Sequence, residues 1–293
     1  MISYTVQNAL TPISVRAFLK QKGVSGAMFR RIKHHGGFWK NGISVHGTGT
    51  LLQEGDTISY ALPPTEQDIL PEHLPLDIRY EDADLLIVNK PAGTLVHPAP
   101  HVPSGTLANA ILGYYREKGL SHGFHSVHRL DRMTSGLVLV AKRPEIQHLL
   151  STKDGQQFHR EYLAAAEGIL LPPDGTIDAP IARNPDSIIT RMVSPEGKPA
   201  ITHYRTLRTF PDAAFPYSLL RLSLVTGRTH QIRVHLSHLG HPLLGDDLYG
   251  GDTSRIQRQA LHAERLFLRH PITGEEIDVH AELPDDFQAL LDT

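Results

Sequence analysis

The sequence predicts an α+β fold in which a small basic N-terminal domain precedes a larger body. Three observations lead to this prediction. The chain has 293 residues, more than a single domain of ~100–200 residues needs. Residues 1–62 hold seven Lys and Arg against two acids, a net charge of +5, whereas the rest of the chain carries −7. In the body, short β-rich runs alternate irregularly with helical stretches, which favours α+β over a doubly wound sheet.

Composition excludes several classes of protein. Hydrophobic residues make up 40% and charged residues 20%, so the chain can bury a sizeable core and is not expected to be disordered. No apolar run approaches the ~18–20 residues that span a bilayer, and the N-terminus lacks the pattern of a signal peptide. We therefore expect a soluble, cytoplasmic protein. The chain has no Cys, which excludes disulfides, a cysteine nucleophile, thiolate-bound zinc and iron–sulfur clusters.

The head, residues 1–62, is predicted to begin with two short helices. Ser14 and Ser25 each precede apolar residues at helical spacing, as N-caps do. The first helix should end at Gly23 and the second at Gly36-Gly37. The basic side chains of both helices fall off the apolar stripes and could contact a polyanion: Arg16, Lys20, Lys22, Arg30, Arg31 and Lys33.

A hairpin and a strand are predicted to complete the head. The turn pair Asn41-Gly42 lies between two short β-prone runs, 38–40 and 43–45, and a last strand is expected over 57–62. This order over roughly residues 10–62, with "KNG" and "LLQEGDTI", resembles the RNA-binding module named after the S-four protein of the small ribosomal subunit. The resemblance implies that the helix cations and Lys40 bind RNA. The alternative is a generic αβ appendage with a solvated basic surface.

Residues 63–76, rich in proline and acids, are predicted to form an extended linker. The body, 77–293, should follow it directly. Its predicted helices cover 107–117 and 145–152, and its predicted strands cover 85–89, 136–142, 162–168, 217–225 and 276–282.

Four segments of the body concentrate polar side chains between turn-forming residues: 89–98, 128–136, 226–235 and 261–263. Each alone would fit a turn or a surface ion pair. As a set, in this order, they resemble the RluA-type pseudouridine synthases over nearly all of residues 77–283. The most specific part is "HRLD..TSG" joined to "GRTHQIR.H" about 90 residues later.

This resemblance implies both a fold and an activity. The fold would be a central, mainly antiparallel mixed sheet with flanking helices and a cleft, with the loop of Asp131 at the cleft floor. The activity would be the isomerisation of uridine to pseudouridine in structured RNA, without a cofactor. Large-subunit ribosomal RNA is the favoured substrate, and transfer RNA stays open. No membrane and no obligate protein partner are expected.

The resemblance also assigns roles to particular residues. Asp131 would be the catalytic carboxylate, acting as nucleophile at carbon 1′ or as base at the 2′ position. Arg228 would pair with Asp131 and favour its charged form. Tyr162 would stack on the base and lie near carbon 5, its hydroxyl a candidate for the proton transfer. Arg129 would fill the space left by the flipped uridine, a structural ion pair being its alternative. The family usually has Lys at the position of Arg160, and arginine keeps the positive charge there.

Two other functions deserve comparison with this one. Neutral imidazoles are common metal ligands, so the histidines could form a zinc or iron site of a hydrolase with nearby carboxylates. Glycine interrupts the run 121–128, and His230 and His235 lie inside the "GRTHQIR.H" motif. Both observations argue against a metal site, and no metal is expected. A non-catalytic, RNA-binding ribosome assembly factor is the second alternative, which intact Asp131, Tyr162 and Arg228 disfavour. The histidines concerned are His122, His125, His128, His230, His235, His238 and His241.

Overall fold

The computed structural model describes residues 1–7, 11–63, 67–151, 158–213 and 215–292. The end of the predicted helix 145–152, and positions 64–66 of the predicted linker, lie outside these ranges. The helices are α1 (Val15–Gln21), α2 (Gly26–His35), α3 (Leu107–Glu117), α4 (Pro144–Ser151), α5 (Gln231–His238) and α6 (Asp285–Leu291). In the part described, no helix is both long enough and apolar enough to cross a membrane.

The strands divide between the head and the body. Those of the head are β1 (Ile2–Thr5), β2 (Ile13–Ser14), β3 (Gly37–Lys40), β4 (Ile43–Val45), β5 (Leu51–Leu52) and β6 (Thr57–Ala61). Those of the body are β7 (Asp77–Glu81), β8 (Leu85–Lys90), β9 (His125–Ser126), β10 (Ser135–Ala141), β11 (Phe158–Glu167), β12 (Asp174–Asp178), β13 (Ile181–Arg183), β14 (Arg191–Val193), β15 (Ile201–Phe210), β16 (Tyr217–Leu224), β17 (Leu261–Arg269) and β18 (Glu276–His280).

The local predictions for the head are confirmed. Ser14 Oγ accepts from Ala17 N at 3.2 Å and Ser25 Oγ accepts from Met28 N at 3.2 Å, so both serines cap their helices. The hairpin of β3 and β4 turns at Asn41 and Gly42, whose φ values of 49° and 82° match a type I′ turn. The predicted strand is β6, and β1, which the sequence analysis missed, pairs with it to give the sheet order β1-β6-β3-β4.

The body is built on a ten-stranded mixed sheet. Its main order is β12-β15-β16-β11-β17-β10-β8-β7, with β18 on β17 and β9 on β10. Among the described strands of this sheet, β10 and β17 pair in parallel, through Ser135 with His262 and Gly136 with Ala263, and the other pairs are antiparallel. Gly136 has φ 114°, and a Cβ there would lie 2.3 Å from Ala263 O, so this contact requires glycine. The predicted α+β class is confirmed.

The two faces of this sheet are covered by different layers. Successive side chains of a strand point to opposite faces. Val138 and Val140 of β10 pack in one cluster with α3, whereas Leu137 and Leu139 pack in another with α4 and the head. The head therefore serves as one of the layers that bury the central sheet.

Polar contacts fix the head to the body as well. Ser25 N, at the start of α2, donates to His148 Nε2 of α4 at 3.2 Å. Leu62 N donates to Glu145 Oε1 at 2.7 Å. The head and the body share one continuous hydrophobic cluster, so the head is packed against the body over its inner face. The predicted division of the chain at residue 62 stays a prediction.

The linker residues 67–76 have no helix or strand, but they do not form a free spacer. The Gln67 side chain accepts from Phe124 N and donates to Phe124 O, at 2.7 and 2.8 Å. Glu72 N donates to Asn109 O of α3 at 2.9 Å. A Cβ at Gly113 would lie 1.9 Å from Glu72 O, so the linker backbone lies directly on the helix. This end of the linker is held in one path across α3.

We expect acid to weaken the protein through His125, which is buried in β9 below the head. Burial, followed by the charge of Arg31 on α2, lowers the pKa of His125 to about 4, against ~6.5 in an unfolded chain. Because the folded pKa is the lower one, the stability associated with the neutral ring is present above pH 6.5. It is lost as pH falls towards 4.

The measurement is the urea midpoint by circular dichroism between pH 7 and pH 5, compared with His125→Gln. The midpoint of the unsubstituted protein should fall more steeply with acid than that of the variant. Parallel curves would contradict the burial of a neutral ring.

Candidate active site

Asp131 lies in the loop between β9 and β10, just before the parallel contact with β17. Its backbone carbonyl accepts from Thr134 N at 3.1 Å, which closes a tight turn. The side chain is 26% exposed, while Thr134 and Ser135 behind it are buried. The carboxylate is thus reachable from solvent and rests on a buried, hydrogen-bonded loop.

Arg233 of α5 is the arginine that contacts this carboxylate. Its Nη1 donates to Asp131 Oδ2 at 3.1 Å, and its Nε and Nη2 donate to the two oxygens of the fully buried Asp246, both at 2.7 Å. Burial opposes the charge of Arg233, but the carboxylates of Asp246 and Asp131 outweigh it and raise its pKa. Arg233 is therefore a fixed positive charge that orients Asp131.

The expected pairing of Arg228 with Asp131 is wrong. The side chain of Arg228 is exposed, and its Nε donates to Pro199 O at 2.9 Å. The physical reason is where α5 begins. Gln231 Oε1 accepts from Arg228 N at 2.9 Å and closes a loop before the helix, so the first arginine of the motif precedes α5 and the second lies on its buried face. The sequence analysis placed both in one motif without locating the helix start.

His230 is a second neighbour of Asp131 that the sequence analysis did not assign. It has a left-handed backbone, φ 58°, and its Nε2 lies 3.8 Å from Asp131 Oδ2. Its Nδ1 lies 2.8 Å from the hydroxyl of Tyr249, which accepts from Arg191 N. The tyrosine hydroxyl can donate to Nδ1, and in that tautomer the ring hydrogen is on Nε2 and faces the carboxylate. Burial lowers the pKa of His230, with Asp131 acting against it.

Lys90, at the end of β8, is buried under the Asp131 loop. Its Nζ donates to the carbonyls of Pro91 and Thr94, both at 2.9 Å, and to that of Arg132 at 3.1 Å. Burial lowers the pKa of Lys90 to about 7, and the charge of Asp131 acts in the opposite direction. The sequence analysis singled out this segment but gave Lys90 no role.

Tyr162 of β11 is buried beside the loop, at a bulge between Glu161 and Tyr162 where β11 pairs with β17. Burial raises the pKa of its hydroxyl, Arg160 opposes that rise, and Asp131 adds to it. Arg160 is itself buried, and its Nη2 would lie 3.3 Å from a Cβ at Gly227. The glycine of the 226–235 segment thus leaves room for the cation next to Tyr162.

Comparisons with known proteins show the family of the chain. The model of the RNA pseudouridylate synthase family matches residues 84–238. The chain belongs to this family. It is 41% identical over 287 residues to the protein of Bacillus subtilis named "Uncharacterized RNA pseudouridine synthase YjbO", covering 95% of this chain and 98% of that one. It is 46% identical to ribosomal large subunit pseudouridine synthase D of Haemophilus ducreyi, covering 86% and 81%.

A solved structure extends the match to the fold. The human RNA pseudouridylate synthase domain containing 1 superposes with a TM-score of 0.59 at 30% identity, covering 72% of this chain and 84% of that one. The pseudouridine synthase is an isomerase that converts uridine to pseudouridine and acts on RNA. The resemblance to the RluA-type enzymes is confirmed.

Arg129 of the synthase projects from the loop two residues before Asp131 and is exposed. Its charge, after burial, helps to lower the pKa of His97, whose Nε2 lies 2.8 Å from Ser126 Oγ. Within the described ranges Arg129 forms no ion pair, so its alternative as a structural ion pair has no support there.

Several histidines that suggested a metal site hold the fold together. His235 binds Thr202 Oγ1 through Nδ1 and Ala179 O through Nε2, both at 2.9 Å. His241 Nδ1 lies 2.7 Å from Glu167 O. His128 Nε2 accepts from Leu139 N at 3.2 Å, and its ring stacks on Phe158. Over the parts of the chain that the structure describes, no group of three or more His, Asp or Glu is placed to hold a metal ion.

The contact with Asp131 predicts that Arg233 matters more to turnover than Arg228. Arg233→Lys keeps a positive charge but cannot hold Asp246 with two bonds and also reach Asp131. We expect the single-turnover rate at saturating RNA to fall on the order of tenfold or more, because misplacement of a reacting group by ~1 Å can cost about 10²-fold. Arg228→Met should cost less. A larger loss for Arg228→Met in protein that circular dichroism shows to be folded would contradict the assignment.

Proposed function

We propose that Asp131 is the catalytic carboxylate of this synthase and that large-subunit ribosomal RNA is its substrate. The observation that carries the proposal is the contact of a partly exposed Asp131 with the buried Arg233. A carboxylate that meets solvent on one side and a fixed cation on the other can act on a bound nucleotide without losing its orientation. Relatives named ribosomal large subunit pseudouridine synthase D support this choice of substrate. A ribosomal RNA substrate in turn implies a cytoplasmic location.

The reaction defines what the site must do. The bond between the base nitrogen and carbon 1′ breaks, the uracil turns, and carbon 5 bonds to carbon 1′. Carbon 5 loses its proton, and the released ring nitrogen gains one. Asp131 would start this sequence at the ribose, either by attack on carbon 1′ or by removing the 2′ proton. No electrons or groups are gained or lost, so the product is an isomer of the substrate.

The other site residues have complementary roles in this proposal. Tyr162 would stack on the uracil with its hydroxyl near carbon 5. Burial raises the pKa of this hydroxyl and keeps it protonated, so it would accept the carbon 5 proton only by passing its own proton on, towards the released ring nitrogen. Arg129 would enter the RNA stack in place of the flipped uridine, since a planar guanidinium can stack on bases. Arg228, which is exposed and lies two residues before His230 in sequence, would contact the RNA rather than Asp131.

The head supports RNA binding through its exposed cations. Arg16, Lys20 and Lys22 on or after α1, and Arg30, Arg31 and Lys33 on α2, are all exposed. Lys40 is the exception among the residues proposed to bind RNA. It is half-buried, with its Nζ 2.8 Å from Asp56 Oδ2 and 3.0 Å from Leu51 O, so its charge is already used within the head. We propose that the six helix cations contact phosphates.

Asp131→Asn tests the catalytic assignment. The variant keeps the size of the side chain and most of its hydrogen bonds but removes the charge, so RNA should still bind and pseudouridine formation should be abolished. The measurement is pseudouridine mapping in ribosomal and transfer RNA from cells with the normal or the substituted gene, with the purified variant assayed in parallel. Product formation by Asp131→Asn would refute the assignment. A chain that binds RNA but forms no pseudouridine even with Asp131 intact would favour the assembly factor.

Neutralising cations of the head tests its RNA contact. Each lost phosphate contact should reduce the salt dependence of affinity by ~0.7–0.9 in the slope of log K against log salt. The variant is Lys20→Gln with Arg30→Gln. The matched control is Arg116→Gln with Lys118→Gln at the end of α3, on the opposite face of the sheet. We expect the slope to fall by about 1.4–1.8 in the head variant only, and an unchanged slope would remove the head from the RNA interface.

A further inference from the structure

The four residues that follow Asp131 are each bound by a buried polar side chain from another segment of the chain. Three of these side chains come from the short segment 258–262, and the fourth ends β8. The contacts are Lys90 Nζ to Arg132 O (3.1 Å), Arg258 Nη1 to Met133 O (3.3 Å), Gln259 Nε2 to Thr134 Oγ1 (3.2 Å) and His262 Nδ1 with Ser135 Oγ (2.9 Å). The loop of Asp131 is therefore held residue by residue.

Arg258 is the member of this set that also binds the helix α6. Its side chain is 5% exposed. Nη1 is shared among the carbonyls of Met133, Gln259 and Leu261, at 3.2–3.5 Å. The rest of the fork binds Asp286 with two bonds, from Nε at 2.6 Å and from Nη2 at 2.7 Å. One guanidinium thus joins the Asp131 loop to the first turn of α6.

The helix α6 is a firm support for this contact. Phe287 and Leu290 are buried against the sheet in a cluster with Leu163 and Tyr217, and the hydroxyl of Tyr217 donates to Leu290 O. Arg208 Nη1 donates to Leu291 O at 3.3 Å. Asp286 is half-exposed, and its hydrogen bonds with Arg258 lower its pKa. The helix lies beyond residues 84–238, which the family model matches.

We propose that Arg258 and Asp286 are positioning residues that hold the Asp131 loop in its reactive geometry. The inference rests on the proposed catalytic role of Asp131. Without the Asp286 carboxylate, Arg258 would keep its charge in a buried site that offers only carbonyl oxygens, which is unfavourable. The guanidinium would shift towards solvent, Met133 O would lose its donor, and the turn that begins at Asp131 would move. A displacement of ~1 Å at a reacting group can cost about 10² in rate.

The test compares Asp286→Asn with a matched control variant on the neighbouring strands β17 and β18. Arg265 and Asp278 form an ion pair of the same two-bond geometry, at 2.8 and 2.7 Å, but it is exposed and does not contact residues 131–135. Asp278→Asn therefore removes an equivalent pair without touching the loop. For each full-length variant, the single-turnover rate at saturating RNA, the RNA affinity and the melting temperature are measured. Asp131→Asn is included to test the catalytic assignment itself.

We expect the rate of Asp286→Asn to fall at least tenfold with RNA affinity within twofold of normal, and Asp278→Asn to keep its rate. Arg258→Lys retains the charge beside Asp286 but cannot also serve Met133 O, so its rate should fall similarly, which keeps the test decisive if Asp286→Asn folds poorly. A rate within twofold of normal in either folded variant, while Asp131→Asn is inactive, would overturn the positioning role alone. Activity of Asp131→Asn would instead refute the proposed function.

Discussion

The parallel contact of β10 with β17 is the constraint on which the site depends. It spans two residue pairs, Ser135 with His262 and Gly136 with Ala263, and it is possible because Gly136 accepts both a positive φ and a carbonyl at its Cβ position. Elsewhere in the described sheet the strands run antiparallel. At this contact the loop before β10 meets the segment before β17, so side chains far apart in sequence surround Asp131.

Three buried basic side chains bind the segments that meet near this contact. Lys90, Arg233 and Arg258 are each buried, and burying a charge costs several kcal/mol unless it is paired and hydrogen-bonded. Here each cation has carboxylate or carbonyl acceptors in more than one segment. Such groups often contribute little net stability compared with apolar side chains of similar volume, but another arrangement of the loops would leave their buried donors without acceptors. The site thus gains geometric definition from interactions that are costly to rearrange.

Local patterns made much of this structure predictable. The serine caps, the Asn41-Gly42 turn and α3, with the bounds predicted, depend on short-range geometry that a few residues encode. Contacts between residues that are distant in sequence were harder to predict. Arg228 and Arg233 lie in one motif, and only the position at which α5 begins decides which of them faces Asp131. In the sequence, Lys90 looked like part of a turn. Its contact with the carbonyl of Arg132 could not be predicted, because that carbonyl belongs to a loop distant in sequence.

The packing of the head on the sheet limits which other segments could replace the head. Leu137 and Leu139 are covered by the same cluster that contains Phe18, Leu19 and Ile32 of the head. A head transplanted from another protein would have to bring a complementary apolar surface, and not only a suitable set of cations. A truncated chain that starts at residue 77 would expose that apolar face of the sheet to water, and such a surface promotes aggregation. An exchange of the head during evolution would therefore also have to preserve the apolar cover that it provides for one face of the sheet.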